Sequence, residues 1–147
     1  WLTWPFDGFG RDDTREWLRH ADEDWAAGRD FAYTILDGTA VVGSTGYTNR
    51  VGPGWLELGT WVRTSRAGEG FARRTTGMLV DIARDHLPEV DGLVIHHDVA
   101  HGASSAVARA TGFTRVAEVD PGPDRPFQQT REAVWRLHLR RTAEGNQ

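Results

Sequence analysis

Gly68 and Gly70 stand two residues apart in the stretch Arg66-Ala67-Gly68-Glu69-Gly70-Phe71-Ala72, with further arginines at 63, 73 and 74. Glycine allows a tight turn and lets a ligand come close to the backbone. A helix that starts just after such a turn offers free N–H groups and the positive end of its dipole, so the stretch can hold an anion such as a phosphate. The pattern lacks the third glycine of a dinucleotide fingerprint and the Gly-Lys-Ser/Thr of a nucleotide-triphosphate loop. By itself it reads more simply as a strand-to-helix turn that needed glycine. Other residues suited to chemistry lie on either side. Glu57 sits in Trp55–Val62, where strand alternation sets it opposite Leu56 and Leu58. His96 and His97 are adjacent at the end of an apolar stretch and precede Asp98. Neighbours on a strand point to opposite faces, so no shared metal site is expected, while one ring can carry protons near neutral pH. Ser104 opens a short helical stretch and suits an N-cap. His20, His86 and His138 fall on element surfaces and read as structural.

These residues need a frame. Residues 1–11 read as an aromatic loop that packs its rings. Next comes a helix with a capping box at Asp13 and Glu16, an inner face of Trp17, Ala21 and Trp25, and a stop at Gly28. Asp30–Leu36 and Thr39–Asn49 form a hairpin around an Asp37-Gly38 turn. After the Gly52-Pro53-Gly54 turn, Trp55–Val62 is a third antiparallel strand. The helix after the glycines runs to about Leu87, stopped by Pro88, with Phe71, Thr75, Met78, Leu79, Ile82 and His86 inward. Gly92–Val99 is then a parallel strand reached by a strand–helix–strand crossover. A short helix over 103–110 ends at Gly112. Two last strands, 113–119 and 132–140, are joined by a Pro/Gly-rich loop. The sum is one α+β domain over residues 1–147, with a mixed, mostly antiparallel sheet.

Composition narrows the class. The chain has 147 residues, a net charge of −4 and no cysteine. That excludes disulfides, thiolate metal sites and a cysteine nucleophile, and gives no reason to expect nucleic acid. All 17 basic residues are arginine. No apolar run is long enough to span a bilayer, so a soluble cytoplasmic domain is expected.

Trp55 to Phe113 resembles the core of a GNAT-type N-acetyltransferase, in the branch that includes ribosomal-protein N-terminal acetyltransferases. That branch shows E-I-G-Y-W-V on a strand, R-G-x-G-x-A opening a helix, and N-x-x-S-x-x-V-x-x-x-x-G-F further on. The counterparts are Glu57-Leu58-Gly59-Thr60-Trp61-Val62, Ala67-Gly68-Glu69-Gly70-Phe71-Ala72, and His101, Ser104, Val107 and Gly112-Phe113. Thr60, Ala67 and His101 depart from the family's tyrosine, arginine or glutamine, and asparagine.

The resemblance implies a GNAT fold with helices on both faces of the sheet. It also implies acetyl-CoA as co-substrate, no metal, and direct attack of a primary amine, from a protein N-terminus or a small molecule. The pyrophosphate is expected on the backbone N–H groups of residues 67–72, with Arg66 first among the arginines and His101 beside the cofactor. Pantetheine is expected to pair with the edge at Trp61 and Val62. Ser104 is expected to protonate the leaving thiolate, and Glu57 to act as base. The family's early strand and first helix have no counterpart before Trp1, and homodimers are common among relatives. The rival reading is an acyl-CoA-binding module without turnover.

Overall fold

The computed structural model describes residue 8, residues 10–120 and residues 131–140. Their elements are α1 (Arg11–Ala26), β1 (Phe31–Asp37), β2 (Ala40–Thr48), β3 (Trp55–Val62), a short 3-10 turn (Thr64–Arg66), α2 (Phe71–His86), β4 (Gly92–Asp98), α3 (Gly102–Ala110), β5 (Thr114–Val119) and β6 (Glu132–His138). The six strands form one sheet in the order β1-β2-β3-β4-β6-β5. Only β3 and β4 are parallel; β6 inserts antiparallel between β4 and β5. This is the mixed α+β sheet expected from the chain, with its parallel crossover in place.

Alternation along the strands builds the core. Tyr47 faces Leu58 across β2–β3, Leu56 faces Leu93 across β3–β4, and Ile95 faces Trp135 across β4–β6, so these side chains share one face. Leu79, Val80 and Ala83 of α2 and Ala108 of α3 pack into the same buried cluster. Tyr47 adds a specific tie, donating its hydroxyl to the carbonyl of Leu79. Trp25, at the end of α1, meets Phe31 and Tyr33 edge-on at 5.2 and 5.1 Å on this face too. Helices on both faces were expected; the packing recorded among the described residues lies on this one.

Several local expectations change. The α1 cap is not Asp13 with Glu16: the helix starts earlier, and the backbone N–H of Gly10 donates to Asp13 Oδ2 at 2.7 Å. The expected inner face of α1 is only partly covered: Trp25 packs on Phe31 and Tyr33 yet stays 44% exposed, Ala21 is half-buried and Trp17 is 40% exposed. The hairpin loop is Gly38-Thr39, because Asp37 already pairs with Ala40, and Gly38 takes the left-handed φ of 59°. The buried stripe of α2 is Thr76, Leu79, Val80 and Ala83, at i, i+3, i+4 and i+7. Met78 and His86 are exposed, while Phe71, Thr75 and Ile82 flank the stripe half-buried. The aromatic loop over 1–7 and the connection over 121–130 lie outside the described residues.

Candidate active site

The parallel pair is the key to the site. β3 and β4 are registered only at Trp55↔Gly92, Leu56↔Leu93 and Glu57↔Val94. Beyond Glu57 both strands continue, β3 to Val62 and β4 to Asp98, without pairing to each other. Each remains fully paired on its far side, β3 with β2 and β4 with β6. A wedge therefore opens toward the C-terminal ends of both strands. The N–H of Arg63 donates to Val42 across β2 at 2.8 Å. Backbone groups alternate along a strand, so those of Thr60 and Val62 point the other way, into the wedge. Trp61 and Val62, the expected pantetheine edge, thus form one wall of the opening and are half-buried.

At the mouth of the wedge β3 runs through the 3-10 turn into the glycine loop. Gly68 and Gly70 hold φ of 84° and 82°, the left-handed region that disfavours side chains. Gly70 is the N-cap of α2. The first backbone donor satisfied within α2 is Arg74, to Gly70 at 3.0 Å. The six N–H groups of residues 68–73 have no acceptor among the described residues. That row is what an oxyanion of a phosphate needs.

The flanking arginines are less free than their positions suggest. Arg66 is clamped by Glu69, at 2.8 Å through both Nε and Nη2, and by Asp37 at 2.7 Å. Those hydrogen bonds, to Glu69 first and then Asp37, raise the pKa of the guanidinium. Arg74 donates to the carbonyl of Glu69 at 3.1 Å. The two guanidinium groups flank the Phe71 ring, 5.0 and 4.8 Å from its centre. Ala67 and Ala72 contribute backbone only.

On the wall formed by β4, the paired face carries Glu57, Val94, His96, Asp98 and Glu132. Glu57 is buried, its side chain 7% exposed. Arg50 grips it through Nε to Oε2 at 2.6 Å and Nη2 to Oε1 at 3.0 Å. His96 Nδ1 lies 3.3 Å from Oε1. Burial pushes the Glu57 carboxyl up, but His96 and Arg50 together outweigh it and hold the pKa at about 2. His97 points to the opposite face as alternation requires. There it stacks on Trp135 at 6.0 Å and its Nδ1 lies 2.8 Å from the carbonyl oxygen of Asp98. His20, His86 and His138 are exposed.

After β4 the chain turns into α3. His101, not Ser104, occupies the N-cap, and Ser104 is the third residue inside the helix. Its Oγ lies 2.6 Å from His101 Nδ1. Because β3 and β4 are parallel, the glycine loop after one and the His101–Ser104 pair after the other sit at the same end of the sheet. The structure thus brings the loop, the Trp61–Val62 edge, His101 and Ser104 around one opening, with Glu57 at its apex. Two partners escaped the sequence reading: Arg50, reached only through the β2–β3 register, and Asp37, a hairpin residue.

Residues 1–114 match the family model described as Acetyltransferase (GNAT) domain. No curated protein matches the chain. Solved structures with the same fold include the microcin C7 self-immunity acetyltransferase MccE in complex with acetyl-CoA and AMP. It has a TM-score of 0.82 and 16% identity over 93% of this chain and 76% of that one. RimL, a ribosomal-protein α-N-acetyltransferase in complex with coenzyme A, has a TM-score of 0.83 and 19% identity over 93% and 77%. A mutant of the spermidine N-acetyltransferase SpeG from Vibrio cholerae has a TM-score of 0.72 and 11% identity over 88% and 77%. With 114 of its 147 residues covered by the family model, the chain belongs to the GNAT acetyltransferase family.

Proposed function

We propose that the protein transfers the acetyl group of acetyl-CoA to a primary amine by direct attack, in the cytoplasm. The observation that carries this reading is the open wedge between β3 and β4, with the N–H row of residues 68–73 at its mouth. The pyrophosphate lies on that row, where Gly68 and Gly70 leave the backbone bare. The pantetheine amides pair with the backbone groups of Thr60 and Val62 as an added strand would. The thioester then points toward the apex, between Ser104 and the face carrying His96. Solved relatives of this fold bind acetyl-CoA or CoA, which supports the assignment of the donor.

The amine attacks the carbonyl carbon, the C–S bond breaks, and the thiolate takes the hydroxyl proton of Ser104. Glu57 was the expected base, yet a carboxylate with a pKa of about 2 has little affinity for an amine proton. His96, on the same face and beside it, is the better acceptor, and Glu57 steadies the imidazolium it becomes. The acceptor is a protein N-terminus or a small-molecule amine; the named activities of RimL and SpeG span both classes.

Calorimetric titration with acetyl-CoA, beside desulfo-CoA and NAD, tests the donor site. Saturable binding of acetyl-CoA and not NAD is expected; equal or absent binding would refute the cradle. Product analysis with a panel of N-terminal peptides and polyamines then separates an enzyme from a binding module, since only the enzyme yields acetylated amine.

A further inference from the structure

Four glycines lie within strands of the described residues: Gly43 and Gly46 in β2, Gly59 in β3 and Gly92 in β4. Glycine weakens a strand, so each needs a reason. Three have one in the packing. A Cβ on Gly43 would strike the carbonyl oxygen of Trp61, one on Gly46 that of Phe31, and one on Gly92 the ring of Trp55. Gly59 has no such neighbour. Its backbone is extended, without the left-handed φ that a side chain resists, and a Cβ there would meet no atom of the described residues within 4 Å. It is exposed, although Leu58 before it is buried and Thr60 after it half-buried. What the missing side chain leaves is room.

That room lies where an acceptor has to arrive. Alternation puts Gly59 on the same face as Glu57 and Trp61. The β3–β4 register pairs Trp55 with Gly92 and Glu57 with Val94; carried two residues on, it sets Gly59 level with His96 across the opening. The backbone of Gly59 is already engaged. Arg63 donates its N–H to Val42, so every second residue back from it, Gly59 included, turns its backbone groups toward β2. The Gly59 carbonyl also accepts the hydroxyl of Thr45 at 3.0 Å. The floor at this point therefore offers contact without hydrogen bonds, which suits hydrocarbon.

We propose that Gly59 is a specificity-determining residue, whose bare backbone seats the carbon bearing the acceptor's primary amine and so holds the nitrogen beside His96, between Glu57 and Trp61. This seat presupposes that acetyl-CoA occupies the wedge and that an amine attacks it there, as proposed above. A polyamine arm and a peptide N-terminus share the required chemistry, a primary amine on carbon. A side chain at position 59 would fill the seat from below and push the amine away from the thioester, while the donor site at residues 67–72 stays as it is.

The test measures acetyl transfer by the full chain carrying Gly59→Ala or Gly59→Val. Spermidine and a short peptide with a free N-terminal serine are the acceptors, and the one that wild type acetylates identifies the source of the amine. Calorimetry reads acetyl-CoA affinity and urea titration reads stability. Valine suits a strand better than glycine and alanine no worse, so both variants should be at least as stable as wild type. Acetyl-CoA affinity should stay within about threefold. kcat/KM for the amine should fall about 10-fold in Gly59→Ala and about 100-fold in Gly59→Val, the loss appearing in the KM of the amine with kcat nearly kept. An unchanged amine KM in both variants would overturn the proposal. So would a parallel loss of acetyl-CoA affinity, which would place Gly59 in the donor site, or failure of both variants to fold, which would give the glycine a packing role. Wild type that binds acetyl-CoA and acetylates neither amine would overturn the transfer reading, and the seat with it; wild type that binds no acetyl-CoA would overturn the cradle itself.

Discussion

Arg50 holds Glu57 in a two-point grip, Nε to Oε2 at 2.6 Å and Nη2 to Oε1 at 3.0 Å, at the apex of the wedge. The arginine side chain is 60% exposed and the glutamate 7%, so the cation stays hydrated while the anion does not. Removing the arginine takes the two-point grip from a buried carboxylate, which is worse than removing the pair. Arg50→Ala should cost about 2–3 kcal/mol of unfolding free energy. Arg50→Ala with Glu57→Leu should cost less than Arg50→Ala alone. Urea titrations of the three proteins check this; a double variant less stable than the single would contradict it.

Glu57, with His96 and Arg50 beside its carboxylate, also sets an acid limit. The Glu57 pKa is held at about 2 against an ordinary 4.5. A depressed carboxylate stabilises the fold fully above its unfolded pKa, and that stability is lost as pH falls through the folded one. The loss should therefore run from about pH 5 down to about pH 2 and amount to about 3 kcal/mol. Glu57→Gln should be less stable at pH 7 and flatter across that window. Denaturation curves at pH 7, 4 and 3 decide; parallel slopes for the two proteins would rule out this role for Glu57.

Glu69 competes with the ligand it helps to seat. Its carboxylate, with that of Asp37, occupies the Arg66 guanidinium at the phosphate loop. An incoming pyrophosphate meets negative charge beside its backbone donors and must draw Arg66 away. Glu69→Gln should tighten CoA binding about threefold at low ionic strength, with the gain shrinking in salt. Calorimetry at two salt concentrations reads this directly. Weaker binding would mean that the clamp orients Arg66 for the ligand instead of withholding it.

The order of elements was legible because each has a local cause: alternation in Trp55–Val62, punctuation at Gly52-Pro53-Gly54 and Pro88, and the crossover that makes β3 and β4 parallel. The loop motif marked the anion site for the same reason. What the sequence could not supply were relations between elements. Arg50 meets Glu57 because Thr48 pairs with Glu57 and the chain doubles back two residues later, a fact of register. The α2 stripe was misjudged because Thr76 is buried and Met78 exposed, against their hydropathy: the helix axis is set by the Leu79, Val80 and Ala83 contacts. Ser104 suits an N-cap in the sequence because serine favours that position, whereas the turn out of β4, closed by the His101 N–H on the carbonyl of Asp98 at 2.8 Å, starts the helix earlier.

Gly70 is the position at which the loop tolerates least. Its φ is 82°, and a Cβ would stand 3.1 Å from Arg74 Nη1. Gly70→Glu adds backbone strain of about 1–2 kcal/mol and sets a carboxylate among the phosphate donors. Binding of CoA should be abolished while the protein remains folded by circular dichroism. Unchanged affinity would remove the loop from the site.

His96 separates the chemical step from binding. It stands on the Glu57 face, past the last β3–β4 pair, with its side chain 17% exposed. If it takes the amine proton, His96→Gln should lower turnover by about 100-fold at pH 7 and leave CoA affinity unchanged. The deficit should narrow as pH rises, because more of the amine then arrives already neutral. Turnover by wild type and variant with one amine acceptor, measured from pH 6 to 9, gives the comparison. A deficit constant across that range would mean that His96 shapes the wedge without moving a proton.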